Sequence, residues 1–77
     1  MTLTEAVARR MKDLMEEKQF TAYKLYKEGG IAKSTISQVL NGKRERIRLA
    51  TVYEMVTTMG VSLEEFFTDP LFKLVTD

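Results

Sequence analysis

The chain has 77 residues and neither cysteine nor histidine, enough for one small domain that hides only about 60 to 65 % of the surface its unfolded form exposes. These absences exclude a disulfide framework, a thiolate nucleophile, a cysteine-based zinc site and the commonest general base, so no enzyme, metal or cofactor is expected. The formal net charge of +1 conceals a division, because residues 18 to 48 carry eight basic side chains against Glu28 and Glu45, while the stretches before and after are acidic.

In chain order, Val7, Met11, Leu14 and Met15 recur at helical spacing between charged residues. This predicts an amphipathic helix over residues 4 to 18, with Thr4 as its N-cap and its apolar stripe facing a core. Glu5, Arg9 and Arg10 stand where a signal peptide would need an apolar stretch, and no apolar run is long enough to span a bilayer, so the chain reads as soluble and cytoplasmic. Thr21 is expected to cap a second, shorter helix that runs to Glu28, with Leu25 inward and Gly29-Gly30 ending it.

From Lys33 the chain reads Lys-Ser-Thr-Ile-Ser-Gln-Val-Leu. Ile36, Val39 and Leu40 fall on one face of a third helix and Lys33, Ser34, Ser37, Gln38 and Asn41 on the other. Asn41-Gly42 stops it, since both residues tolerate the left-handed conformation found after helix ends, and neither flank alternates as a hairpin would. The basic loop Lys43-Arg44-Glu45-Arg46-Ile47-Arg48 leads to a fourth helix striped by Leu49, Val52, Met55, Val56 and Met59 and stopped by Gly60. Ser62-Leu63-Glu64-Glu65 reads as a capping box, with Val61 and Phe66 as its hydrophobic staple. Pro70 is expected to end this last helix and begin an apolar tail, Leu71-Phe72-Lys73-Leu74-Val75. Five helices and no strand make an all-α fold, with a domain over residues 1–70 and a tail over 71–77. Gathering the positive charge into one stretch suits a face presented to a polyanion, although solvated surface lysines would look the same on charge alone.

Two short helices joined by a glycine turn form a helix-turn-helix skeleton that many helical proteins contain. The run from Thr21 to Lys43 is more specific, because it resembles the signature of the phage repressor and Cro family of regulators. That signature has a capping Ser or Thr, a Leu-Ala pair, a Gly-Val turn, a Ser-Thr-Ile-Ser recognition segment and a closing Asn-Gly-Lys. Leu49-Ala-Thr-Val and the run from Met59-Gly60-Val61-Ser62 to Phe67 are similar to the family's fourth helix and the start of its fifth, so the resemblance covers residues 5 to 70. It implies a compact five-helix, lambda-repressor-like fold with the helix-turn-helix at helices 2 and 3. It also implies a transcriptional regulator, a repressor, that binds specific double-stranded DNA as a homodimer.

The chain departs from the family pattern at several positions. Tyr26 replaces an alanine whose small size lets the two helices approach, which is expected to alter their crossing angle. Ala22 replaces a glutamine that reaches a phosphate, so that contact is either lost or passed to Tyr23 or Lys24. Arg10 matches an arginine that pairs in relatives with a glutamate at the end of the recognition helix, where this chain has Leu40. Arg10 then needs another acceptor, solvent or a phosphate, because an unpaired buried guanidinium is prohibitively costly. Ile47 stands where proline is common, and Ala32 and Arg48 where capping hydroxyls are usual.

On the family pattern, helix 33–41 enters the major groove, with Lys33, Ser34, Ser37 and Gln38 at base edges. Gln38 can pair bidentately with adenine, Lys33 can donate to guanine O6 and N7, and the two serines are short enough for close approach. Thr21, Tyr23, Lys24, Thr35, Asn41, Lys43, Arg44 and Arg46 are the expected phosphate contacts, helped by backbone N–H groups at helix starts. An ordinary solvated helix face is the competing account of Lys33 and Gln38, as a solvated loop is of the arginines. Phe67, Leu71, Phe72, Leu74 and Val75 either form a twofold interface or fold back to cap the core. The alternative class is a protein-interaction or antitoxin-like subunit that reuses the fold and binds its partner through this tail. Neither a small-molecule ligand nor a membrane is expected.

Overall fold

The structure of the protein, a computed structural model, describes residues 1–43 and 46–76. Five α-helices follow in order: α1 (Leu3–Lys18), α2 (Ala22–Gly29), α3 (Lys33–Asn41), α4 (Leu49–Thr58) and α5 (Leu63–Phe67), and a 3-10 turn spans Pro70–Leu74. Among the described residues there is no strand, and no helix is long and apolar enough to cross a membrane.

The start of α1 differs from the expected cap at Thr4. Thr2 is the N-cap: its hydroxyl accepts from the Glu5 N–H at 3.1 Å, and its own N–H donates to Glu5 Oε1 at 2.8 Å. Only Thr2 has a glutamate three residues on, which is what a reciprocal capping box requires, whereas Thr4 has Val7 there. The Thr2 N–H foremost, and then the Thr2 side chain, hold the Glu5 carboxyl below its ordinary pKa. At the other end Gln19 adopts a left-handed φ of 59°, which turns the chain so that the Phe20 N–H donates to Met15 O at 2.8 Å. The Phe20 side chain then lies half-buried against the core.

Every helix contributes to one core, in which Met11, Leu14, Leu25, Ile36, Met55, Val56 and Phe66 are fully buried. Two glycines allow the helices to close around it. A Cβ on Gly29 would come within 2.5 Å of Thr58 Oγ1, so the end of α2 lies directly against the end of α4. Gly42 has a φ of +72°, and a Cβ there would stand 3.2 Å from that of Ala8, so this turn presses onto α1. Leu49 was expected on the apolar stripe of α4 but is 59 % exposed, because the stripe outruns the core at the helix's first residue.

Arg10 finds its acceptors on α5. Its Nε donates to Phe66 O at 3.0 Å, Nη2 to Glu65 O at 3.1 Å, and Nη1 lies 3.3 Å from Asp69 Oδ2. Carbonyls at the C-terminal end of a helix lack partners within the helix and carry its negative pole, so a guanidinium fork suits them. Asp69 also accepts from the Leu71 N–H at 2.8 Å and thereby caps the following turn. Pro70 consequently does not end α5, which stops at Phe67. It opens the 3-10 turn instead, at a position where no N–H is needed.

That turn packs on α1. Phe72 joins the core, its ring centroid 5.6 Å from Phe66 and 4.9 Å from Phe67. Leu71 and Val75 are half-buried, while Phe67 is 36 % and Leu74 58 % exposed.

Candidate functional site

The orientation of α3 is fixed by what lies beneath it. Ile36 and Val39 are buried in the core, and at 100° per residue this turns positions 33, 34, 37, 38 and 41 away from the protein. Lys33, Ser34, Ser37, Gln38 and Asn41 are all exposed and form one continuous polar strip, while Thr35 and Leu40 lie half-buried along its edges. The four side chains expected at base edges are therefore brought together. Among the described residues none of the four side chains hydrogen-bonds to the rest of the chain, so their polar groups face outward; Gln38 offers both a donor and an acceptor, and the serine hydroxyls do the same.

A groove runs along each side of this strip. On one side Ala22, Lys33, Ser37, Asn41 and Lys43 line it, floored by Ile36 and Leu40. On the other, Thr35 and Gln38 face Arg46, Arg48 and Thr51, floored by Val39 and Ile47. Each groove carries two basic side chains, Lys33 and Lys43 in the first and Arg46 and Arg48 in the second. Arg44, expected at a phosphate, lies outside the described residues. Arg48, a member of the basic loop for which a solvated loop is the competing account, lines this second groove with Arg46. Thr51 is not among the expected contacts, and nothing local distinguishes it, since it reaches the groove only because α4 starts beside α3.

The helix starts differ in how their N–H groups are met. At α2 the Thr21 hydroxyl accepts from the Lys24 N–H at 3.0 Å, which leaves its proton able to donate elsewhere. Ala32 and Arg48, the N-caps of α3 and α4, provide no side-chain cap. First-turn N–H groups there keep their partial positive charge for solvent or a ligand.

Two lysines are held by their surroundings. Lys24 Nζ lies 3.8 Å from Glu28 Oε2 and 4.3 Å from the centre of the Phe20 ring, which draws it towards the junction of α1 and α2 and away from the strip. Lys33 Nζ lies 4.8 Å from the Tyr26 ring and 5.7 Å from the Tyr23 ring. Tyr26 is 41 % exposed and meets α3 at the Lys33 ammonium, so its bulk lies at the surface of the α2–α3 corner and not in the core. Among the described residues no group of three His, Cys, Asp or Glu side chains could hold a metal ion.

The family model for the Cro/C1-type HTH DNA-binding domain matches residues 10–70. No curated protein and no solved structure matches the chain.

Proposed function

The chain belongs to the Cro/C1-type HTH DNA-binding domain family, and from that premise we propose that it is a repressor that binds a specific duplex DNA site as a homodimer, with α3 in the major groove. The observation that carries this reading is the exposed strip of Lys33, Ser34, Ser37 and Gln38 on a helix whose opposite face, Ile36 and Val39, is locked into the core. A groove about 12 Å wide admits one such helix and brings its outer side chains to base edges. Gln38 then pairs with adenine, Lys33 with guanine, and Ser34 and Ser37 bond whichever edges they meet.

The two lateral grooves lie where the sugar-phosphate strands would pass. Thr21, Tyr23, Asn41 and Lys43 serve one strand and Thr35 and Arg46 the other, joined by Arg48 and the open N-terminus of α4, while Lys24, which must leave Glu28 and Phe20 to do so, and Arg44 complete the proposed phosphate contacts. Selection of binding sites from random duplexes tests this directly. A recurrent sequence is expected, bound far more tightly than its scrambled version; equal binding of both would overturn the reading.

A single recognition helix reads only a few base pairs, and a twofold pair reads two half-sites about 34 to 36 Å apart. Phe67 and Leu74, the exposed apolar side chains of the α5 and tail segment, are the proposed centre of the twofold contact, with Leu71, Phe72 and Val75 beneath and beside them. Sedimentation at DNA-binding concentrations is expected to give a dimer that Leu74→Glu splits. The same exposed pair favours a second reading, a subunit that binds another protein, and a stable monomer that selects no duplex would support it.

A further inference from the structure

Tyr23 and Tyr26 are two large rings left outside the core of an eight-residue helix of which only Leu25 is buried. Spaced three residues apart, they are neighbours on the helix surface. Their centroids lie 6.2 Å apart and their planes are tilted by 49°, which makes an open corner. Lys33, the first residue of α3, places its ammonium in that corner at 4.8 and 5.7 Å from the two centroids. Both distances fall within the roughly 6 Å over which a ring face attracts a cation. No salt bridge involves Lys33 among the described residues. Lys33 also lines the groove shared with Ser37, Asn41 and Lys43, so the corner lies at the edge of the reading strip.

We propose that Tyr26, assisted by Tyr23, is a specificity-determining positioning residue: the two rings hold the Lys33 ammonium at the α2–α3 corner, so that it meets one base edge instead of sampling the groove. The proposal rests on the reading of α3 as the DNA-contacting helix. A lysine head on its flexible four-carbon stem discriminates poorly between neighbouring acceptors, because it can follow whichever is present. Rings that hold it in place beforehand reduce the freedom lost on binding and restrict which acceptor it reaches. They occupy only part of the ammonium surface, so N–H donors remain available to guanine. At an exposed site the hold favours the oriented form by about two- to fivefold, which is the size of effect expected on base choice.

The test uses the full chain with Tyr26→Phe, Tyr26→Ala, Lys33→Met and the Tyr26→Ala/Lys33→Met double variant. Because Tyr26 lies outside the core, each is expected to fold. In the free protein, ring currents should move the Lys33 ε-methylene protons upfield in the parent and in Tyr26→Phe but much less in Tyr26→Ala. On DNA, the base pair read by Lys33 is the one whose exchange no longer matters to Lys33→Met. Tyr26→Ala should lower discrimination at that pair about two- to fivefold, Tyr26→Phe should retain it, and Tyr26→Ala should add nothing in the Lys33→Met background. Discrimination at the pair read by Gln38 should stay constant throughout.

Absence of the ring-current shift overturns the proposal, as does a Tyr26→Ala effect that persists without Lys33 or weakens all duplexes equally. So does sharper discrimination in Tyr26→Ala, which would mean that the rings withhold the ammonium from DNA. A parent protein with no base preference, but with the shift intact, removes the DNA reading itself and the proposal with it. Preference in the parent with additive single effects removes only the proposal.

Discussion

At the contact between α1 and α5, Arg10 has its guanidinium 5.9 Å from the Phe66 ring centre, donates to two carbonyls and pairs with Asp69. At the corner between α2 and α3, the Lys33 ammonium lies over the rings of Tyr23 and Tyr26, with no salt bridge among the described residues. Both are cations set against aromatic rings, but the Arg10 side chain is 14 % exposed and its donors are engaged, whereas Lys33 is exposed and keeps its own. A cation whose hydrogen bonds are made inside the fold contributes to stability. One that is oriented but still holds unspent donors is available to a partner outside. The Arg-for-Lys difference fits these tasks, since a planar fork satisfies several fixed acceptors at once and an ammonium acts as a movable point charge.

The largest effect expected from breaking this contrast is on folding. Arg10→Ala leaves the Phe66 carbonyl without its donor and takes one donor each from the Glu65 carbonyl and Asp69, which keep the Thr68 hydroxyl and the Leu71 N–H, and urea unfolding is expected to show a loss of about 2 to 3 kcal/mol. Arg10→Lys should recover only part of it, since one ammonium cannot reach all three acceptors. Base preference of the folded fraction should not change. An Arg10→Ala protein as stable as its parent would mean that the α5 contact is incidental.

Substitution on the other side should reverse the pattern. Lys33→Ala and Gln38→Ala are each expected to cost about 1 to 3 kcal/mol against the selected duplex while moving stability by no more than about 0.5 kcal/mol. Parallel binding and unfolding curves make the comparison, and unchanged preference in both variants would remove α3 as the reading helix.

Lys43 and Arg46 sharpen the contrast in a third way, because a charge that meets only phosphate contributes affinity without sequence. Lys43→Ala and Arg46→Ala should each weaken selected and scrambled duplexes alike, and each should reduce the slope of log K against log salt by about 1. Titrations in which neither slope moves would place both side chains away from the strands.

The smallest expected effect concerns acid. The Glu5 carboxylate is stabilised by the Thr2 N–H and hydroxyl, so its pKa in the folded chain is depressed. The stability it contributes is present above the ordinary carboxylate range and is lost as pH falls through the folded value. Acidification should therefore loosen the first turn of α1 before the core responds, seen as faster exchange of the Glu5 amide. In Glu5→Gln this early acid step should disappear, and an identical pH profile in both proteins would contradict the capping box.

Much of the α2–α3 unit was legible in the sequence because its determinants are near neighbours. The Thr21 cap, the left-handed glycines at 30 and 42 and the spacing of Ile36 and Val39 act within a few residues, and together they set the limits of α3 and the side that faces outward. The Thr2 capping box is equally local, its sign being Glu5 three residues on, whereas the apolar periodicity alone points to a start at Thr4. Arg10, Phe72 and Leu49 are different in kind. The acceptors of Arg10 lie 55 and 56 residues away on a five-residue helix, and whether Phe72 turns inward or Leu49 outward depends on how far the core extends.

By itself, then, the sequence determined the helices, their order and the polar strip on α3, because caps, turns and periodicity are short-range and each is written in the residues it governs. Only the tertiary structure decided that Arg10 grips α5, that Thr51 reaches the groove beside α3 and that Lys33 rests on Tyr26. Those contacts depend on where separate helices come to rest against one another, a distance and an orientation that the packing of the whole core sets and no local pattern encodes.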